Sequence, residues 1–88
     1  MWIRSRHNLI NADWVYRVYI DEYSRKDDKP IYGLYVGLVK DTGMLAKSCL
    51  ETYVDLPFAK DAKKYIYQCL QANEPVCTLP KEGTADIC

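Results

Sequence analysis

The chain has 88 residues, 49% of them hydrophobic and 27% charged, with twelve acidic residues balancing twelve basic ones. This length makes one domain with a single core, and the balanced charge disfavours a dominant surface for nucleic acid or anionic membrane. No apolar run approaches the ~18 residues of a membrane span, and the opening Met-Trp-Ile-Arg-Ser-Arg-His is too short and polar for a secretory signal, so the expected setting is the cytoplasm.

In chain order, Trp2–Ser5 reads as a short first strand that ends in a turn over Arg6–Asn8, with Leu9–Asn11 as a small partner. Two long runs follow, Trp14–Ile20 and Ile31–Val39, in which aromatic and β-branched residues alternate across a charged stretch. Alternation with a period of two specifies extended strands with one buried face. Trp14, Tyr16, Val18 and Ile20 form that face on one run, and Tyr32, Leu34, Val36 and Leu38 form it on the other. The turn is supplied by Asp27-Asp28-Lys29-Pro30.

Matching these faces requires paired residue numbers with an even sum, because a slip of one residue turns every side chain over. A hairpin centred on Lys26 pairs Val18 with Leu34 and Tyr16 with Val36. It also sets Tyr19 over Gly33, Arg17 beside Tyr35, and Val15 by Gly37. Registers two residues either side remain open. Aromatic rings over strand glycines compensate for the missing side chains, and Arg17 beside Tyr35 permits a cation–π contact.

After a turn at Asp41-Thr42-Gly43, Lys47–Asp55 reads as a fourth strand of weaker pattern. A bulge there would turn both Leu50 and Tyr53 toward the core. Pro57 then opens a helix. Phe58, Ala62, Tyr65, Ile66, Cys69 and Leu70 form its apolar stripe, and Asn73 with Pro75 ends it. The expected fold is therefore α+β: a curved antiparallel sheet of about four strands packed against one C-terminal helix. Residues 1–73 form this domain and 74–88 an irregular tail.

A helix of this length spans ~22 Å by ~10 Å, whereas four strands make a sheet ~19 Å across. One helix covers about half of one sheet face, leaving the rest to sheet curvature, the tail or another molecule.

The opening Met1-Trp2-Ile3-Arg4-Ser5, the following Leu9-Ile10-Asn11 and the long strand after them resemble a group of small uncharacterised proteins from Gram-positive bacteria and their mobile elements. The Tyr53 strand and the Ala-Lys-Asp-Ala-Lys-Lys run at Ala59–Lys64 are similar to that group's last strand and helix. The resemblance covers roughly the first 72 residues. It implies an intracellular bacterial setting, and it implies no activity and no site.

Chemistry is sparsely represented. Catalysis needs convergent groups, such as a nucleophile beside a base or paired carboxylates, and the one histidine, His7, reads as an exposed turn residue. Gly33, Gly37 and Gly43 make no phosphate-binding loop. Asp21-Glu22 and Asp27-Asp28 lack the ligand periodicity of a calcium loop, and the cysteines at 49, 69, 77 and 88 lack zinc-site spacing. In a reducing compartment all four are expected to be thiols. The expectation is a non-catalytic protein without cofactor, metal or small-molecule substrate.

The eight tyrosines and two tryptophans exceed what such a fold requires. Arg17, Tyr19 and Tyr35 share the sheet face turned away from the helix and form the candidate interaction surface, since Tyr and Arg are enriched at protein interfaces. The expected partner is another protein or a second copy of this chain. The alternative is weak single-stranded nucleic-acid binding by stacking on the same tyrosines, although no lysine series accompanies them.

Overall fold

The structure, a computed structural model, describes residues 1–6, 8–23, 30–39 and 43–85. His7, the Asp27-Asp28 pair and Cys88 lie outside the described residues, as does most of the two expected turns. The elements are β1 (Trp2–Arg4), β2 (Leu9–Asn11), β3 (Val15–Tyr23), β4 (Ile31–Val39), β5 (Leu45–Tyr53), α1 (Leu56–Gln71) and β6 (Val76–Thr78). The α+β class and the packing of sheet against one helix are as expected.

The strands divide between two three-stranded sheets, ordered β2-β1-β6 and β3-β4-β5. The division has a local cause. A 3-10 turn at Ala12–Trp14, capped by the Asn11 side chain accepting from the Asp13 amide, separates β2 from β3. The free edge of β1 is taken by β6, which runs parallel to it with Ile3 opposite Cys77. The Trp2 amide donates to the Pro75 carbonyl and the Leu79 amide to the Arg4 carbonyl, both at 2.9 Å.

The β3–β4 pairing has Val18 opposite Val36, Tyr19 opposite Tyr35 and Ile20 opposite Leu34. This is one of the two neighbouring registers left open above, and it keeps the two faces. A bulge between Val15 and Arg17 then shifts the phase. Two consecutive residues of a bulge oppose one residue of the partner strand, so Val15 packs toward the core while Trp14 and Tyr16 are exposed. Trp14 and Tyr16 therefore leave the apolar face expected for them. A second bulge lies where the β4–β5 register shifts between Leu34 and Tyr35. Leu50 is the extra residue, and both Leu50 and Tyr53 are fully buried, as the sequence pattern suggested.

The helix buries Ala59, Ala62, Ile66 and Cys69. This stripe is narrower than expected, because Tyr65 and Leu70 flank it and are 40% and 45% exposed. The small Ala59 and Ala62 allow the helix axis to approach the sheet closely. Asn73, at φ +54, ends the helix. The Glu74 amide returns to the Cys69 carbonyl and the Asn73 amide to the Leu70 carbonyl, which satisfies carbonyls that otherwise have no helical partner.

Among the described residues after the helix only Val76–Thr78 is regular, yet the segment carries core residues: Cys77, Leu79 and Ala85 are buried. The Tyr53 hydroxyl donates to the Pro80 carbonyl at 3.1 Å. Thr84 bridges Tyr53, with the Ala85 amide donating to the Thr52 carbonyl. Gly83 takes a positive φ of 74° and lies against the Phe58 ring, where a Cβ would collide with the ring carbons. The post-helix segment thus joins both sheets. It covers inner-face area that the helix leaves open, so the size mismatch between helix and sheet does not by itself call for a partner.

Behind this segment, Arg6 clamps Glu51. Its Nε lies 3.0 Å from one carboxylate oxygen of Glu51 and 3.1 Å from the other, and its Nη2 lies 2.6 Å from Oε1 and also donates to the Ala85 carbonyl. Glu51 also accepts from the Thr52 amide. A carboxylate on the core side of a strand needs such pairing, because an uncompensated charge there is costly.

Candidate interaction surface

The outer face of the β3-β4-β5 sheet brings together the three residues singled out from the sequence. Tyr19, Tyr35 and Cys49 form one cross-strand row, and Arg17, Gly37 and Lys47 form the next. The rings of Tyr19 and Tyr35 stack with centroids 5.5 Å apart and planes within 16°. The Arg17 guanidinium carbon lies 4.1 Å from the centre of the Tyr19 ring, and Lys47 Nζ lies 5.6 Å from the centre of the Tyr35 ring. Cations over tyrosine faces contribute about 0.5–1 kcal/mol each at exposed sites, and a stacked aromatic pair contributes about 0.5–1.5 kcal/mol.

The detailed partners differ from those expected. Arg17 lies over Tyr19, and Gly33 faces Asp21 across the strands. Gly37 is covered by Tyr16 and Arg17 together, where a Cβ would come within 2.7 Å of Tyr16 Cζ and 2.8 Å of Arg17 Cγ. The β3 bulge is the reason: it places two side chains over one opposing residue, and glycine leaves them room.

Tyr35 is only 7% exposed and Tyr19 is half-buried, whereas Arg17 and Tyr16 are exposed. Tyr16 and Lys47 therefore belong to the surface although sequence reasoning did not place them there. Strict alternation assigned Tyr16 to the core, and the weak pattern of the fourth strand left Lys47 without a register. At this end of the sheet, where β3 begins, β4 ends and β5 begins, Trp14, Tyr16, Val39, Met44 and Leu45 are all exposed, Met44 and Leu45 by 66%. Val39 and Leu45 are directly opposed.

Elsewhere, Arg4, Ser5, Arg6, Thr78, Leu79 and Lys81 line a cleft of about 500 Å³. Burial pushes the Tyr53 hydroxyl well above its ordinary pKa, and the nearby Glu51 carboxylate adds to the shift. Burial likewise raises the Cys77 thiol to about 12. Cys69 and Cys77 are free thiols, but Cys49 is disulfide-bonded. The expectation of four thiols therefore fails at Cys49. Among the described residues no three or more His, Cys, Asp or Glu side chains converge on a point that would hold a metal ion, and no helix is long and apolar enough to cross a membrane.

No family model, no curated protein and no solved structure matches this chain.

Proposed function

We propose that this protein is non-catalytic and acts by protein contact, through the end of the outer sheet face formed by Tyr16, Arg17 and Lys47 and bordered by Trp14, Val39 and Leu45. The observation that carries the reading is the convergence of five exposed large apolar side chains at one end of one sheet, beside two cations held on tyrosine rings. Exposed apolar side chains gathered at one place mark contact sites on soluble domains, and tyrosine, tryptophan and arginine dominate the binding energy of such sites. The stacked Tyr19–Tyr35 pair gives the surface a stiff base, which lowers the entropy lost when a partner docks.

A second copy of this chain is the first partner to test, because a net charge of zero sets no overall repulsion between copies. In this reading the protein needs no cofactor and works in the cytoplasm; the disulfide at Cys49 is the observation that stands against that compartment. Sedimentation velocity over a concentration series decides the self-association arm. Reversible dimerisation that Tyr16→Ser and Leu45→Ser abolish supports it. A strict monomer, together with partner capture from cell extract that the same substitutions leave unchanged, overturns the reading.

A second reading, weak single-stranded nucleic-acid binding, is favoured by Arg17 and Lys47 standing on one aromatic face. The burial of Tyr35 leaves little ring for a base to stack on. Salt-sensitive fluorescence anisotropy with random oligonucleotides, lost in Arg17→Gln and Lys47→Gln, would establish this reading in place of the first.

A further inference from the structure

Two thiols take no part in the surface described above. Cys69 lies near the C-terminal end of α1 and Cys77 at the centre of β6. Both are free, both are buried, and both belong to the same core cluster. The helix packs against β6, and after burial the Cys69 side chain is the next cause that raises the Cys77 thiol. The two differ in access. Cys69 helps line an open cleft of about 310 Å³ with Tyr65, Gln68, Ala72, Glu74 and Val76. Cys77 has no exposed surface. Between them the chain runs through the helix-ending turn at Asn73 and Pro75.

We propose that Cys69 and Cys77 form a dithiol modification site, which a low-molecular-weight disulfide oxidises to an intramolecular disulfide tying the end of α1 to β6. The Cys69 thiol gives up its proton and attacks one sulfur of the incoming disulfide R–S–S–R. That S–S bond breaks, one RS⁻ leaves and takes up a proton, and a mixed disulfide forms on Cys69. The Cys77 thiol then loses its proton and attacks Cys69 Sγ; the mixed disulfide breaks and the second RS⁻ leaves as a thiol. Two protein thiols are oxidised, and one small disulfide is reduced to two thiols that carry the two protons.

Access assigns the first attack to Cys69. Burial also keeps the Cys77 proton in place, with its thiol raised to about 12, so the second step is the slower one; Tyr65, Glu74 and Tyr53 are the other titratable groups near the pair. Closing so short a loop restricts the unfolded chain and moves the folding equilibrium toward the native state by on the order of 50-fold.

The test treats the folded protein, with the Cys49 disulfide intact, with oxidised glutathione and follows intact mass and the non-reduced peptide map. The expected product carries a Cys69–Cys77 link and no retained glutathione. Cys77→Ala should trap glutathione on Cys69, and Cys69→Ala should remain unmodified. Persistence of both thiols, a new link that joins Cys69 or Cys77 to a different cysteine, or a Cys77→Ala protein without the adduct would each overturn the proposal. If the variants do not fold, the wild-type peptide map decides alone, since presence of the Cys69–Cys77 link supports the site and its absence removes it.

Discussion

Replacing Arg6 by Met tests how the chain ends are held to the larger sheet. Glu51 is 1% exposed and the Arg6 side chain 23%, so the variant strips a buried carboxylate of its counter-charge and leaves it the Thr52 amide as a donor. Breaking a buried pair from one side costs about 3–5 kcal/mol. Arg6 reaches solvent here, and the space it vacates would admit water to Glu51, which lowers the expected loss to about 2–3 kcal/mol. The Ala85 carbonyl also loses a donor, although Thr52 Oγ1 still donates to it at 3.3 Å. Against a total of roughly 4–13 kcal/mol for a chain of this length, that is a large fraction.

Glu51→Gln should cost less, about 1–2 kcal/mol, because the amide oxygen still accepts and the remaining guanidinium can hydrate. The double variant should be no worse than Arg6→Met alone, giving a coupling of about 1–2 kcal/mol. Urea unfolding followed by tryptophan fluorescence measures all four corners of the cycle, and a constant denaturant slope validates the comparison. A loss below about 1 kcal/mol for Arg6→Met, or additivity within about 0.5 kcal/mol, would show that the ion pair is not what secures this region.

Two other outcomes follow from the geometry. Gly37→Ala should destabilise by about 1–3 kcal/mol, the range for overpacking, because the added methyl meets the Tyr16 ring and Arg17 Cγ; urea midpoints should show partial recovery when Tyr16→Ala is added, and no recovery would mean that Tyr16 does not cover Gly37. Stability should also fall in alkali. Cys77 is raised from 9.0 to about 12, and Tyr53 is raised above its ordinary 10.0, so above pH 9 the unfolded chain releases protons that the folded chain retains. The contribution is complete below pH 9 and declines from there toward the folded-state values, with a slope approaching about 1.4 kcal/mol per pH unit for each group. Anaerobic urea titrations on either side of pH 9 measure this, and a midpoint indifferent to pH, or a decline unchanged in Cys77→Ala, would contradict the burial of these groups.

Much of the architecture was legible because it rests on local periodicity. The alternating run Ile31–Val39 has the bounds of β4, and Leu34 and Val36, which share one parity, lie in the core as the period of two requires. Asn73 and Pro75 marked the helix end by backbone preference alone. The convergence of Arg17, Tyr19 and Tyr35 on one face followed from parity, which survives a register change of two residues. What was not legible depends on contacts between residues distant in the chain. Tyr16 reaches the outer surface only because a bulge breaks the alternation, and Lys47 reaches it only because the β4–β5 register places it opposite Gly37. Neither Arg6 nor Glu51 carries a local pattern that would pair them across 45 residues.

By itself, then, the amino-acid order determined the segments of β1 to β5, which segment is the helix, and which side of the central hairpin is apolar. These are properties of neighbouring residues, encoded by spacing and backbone preference. Tertiary structure decided the division into two sheets, the docking of the post-helix segment as a strand beside β1, and the burial of Glu51 beneath Arg6. It also gathered Cys69 and Cys77 into one core. Each of these depends on which buried surfaces and unpaired strand edges find each other in space, and β1 illustrates the point: its free edge is satisfied by Val76–Thr78, a segment whose own residues carry no strand periodicity.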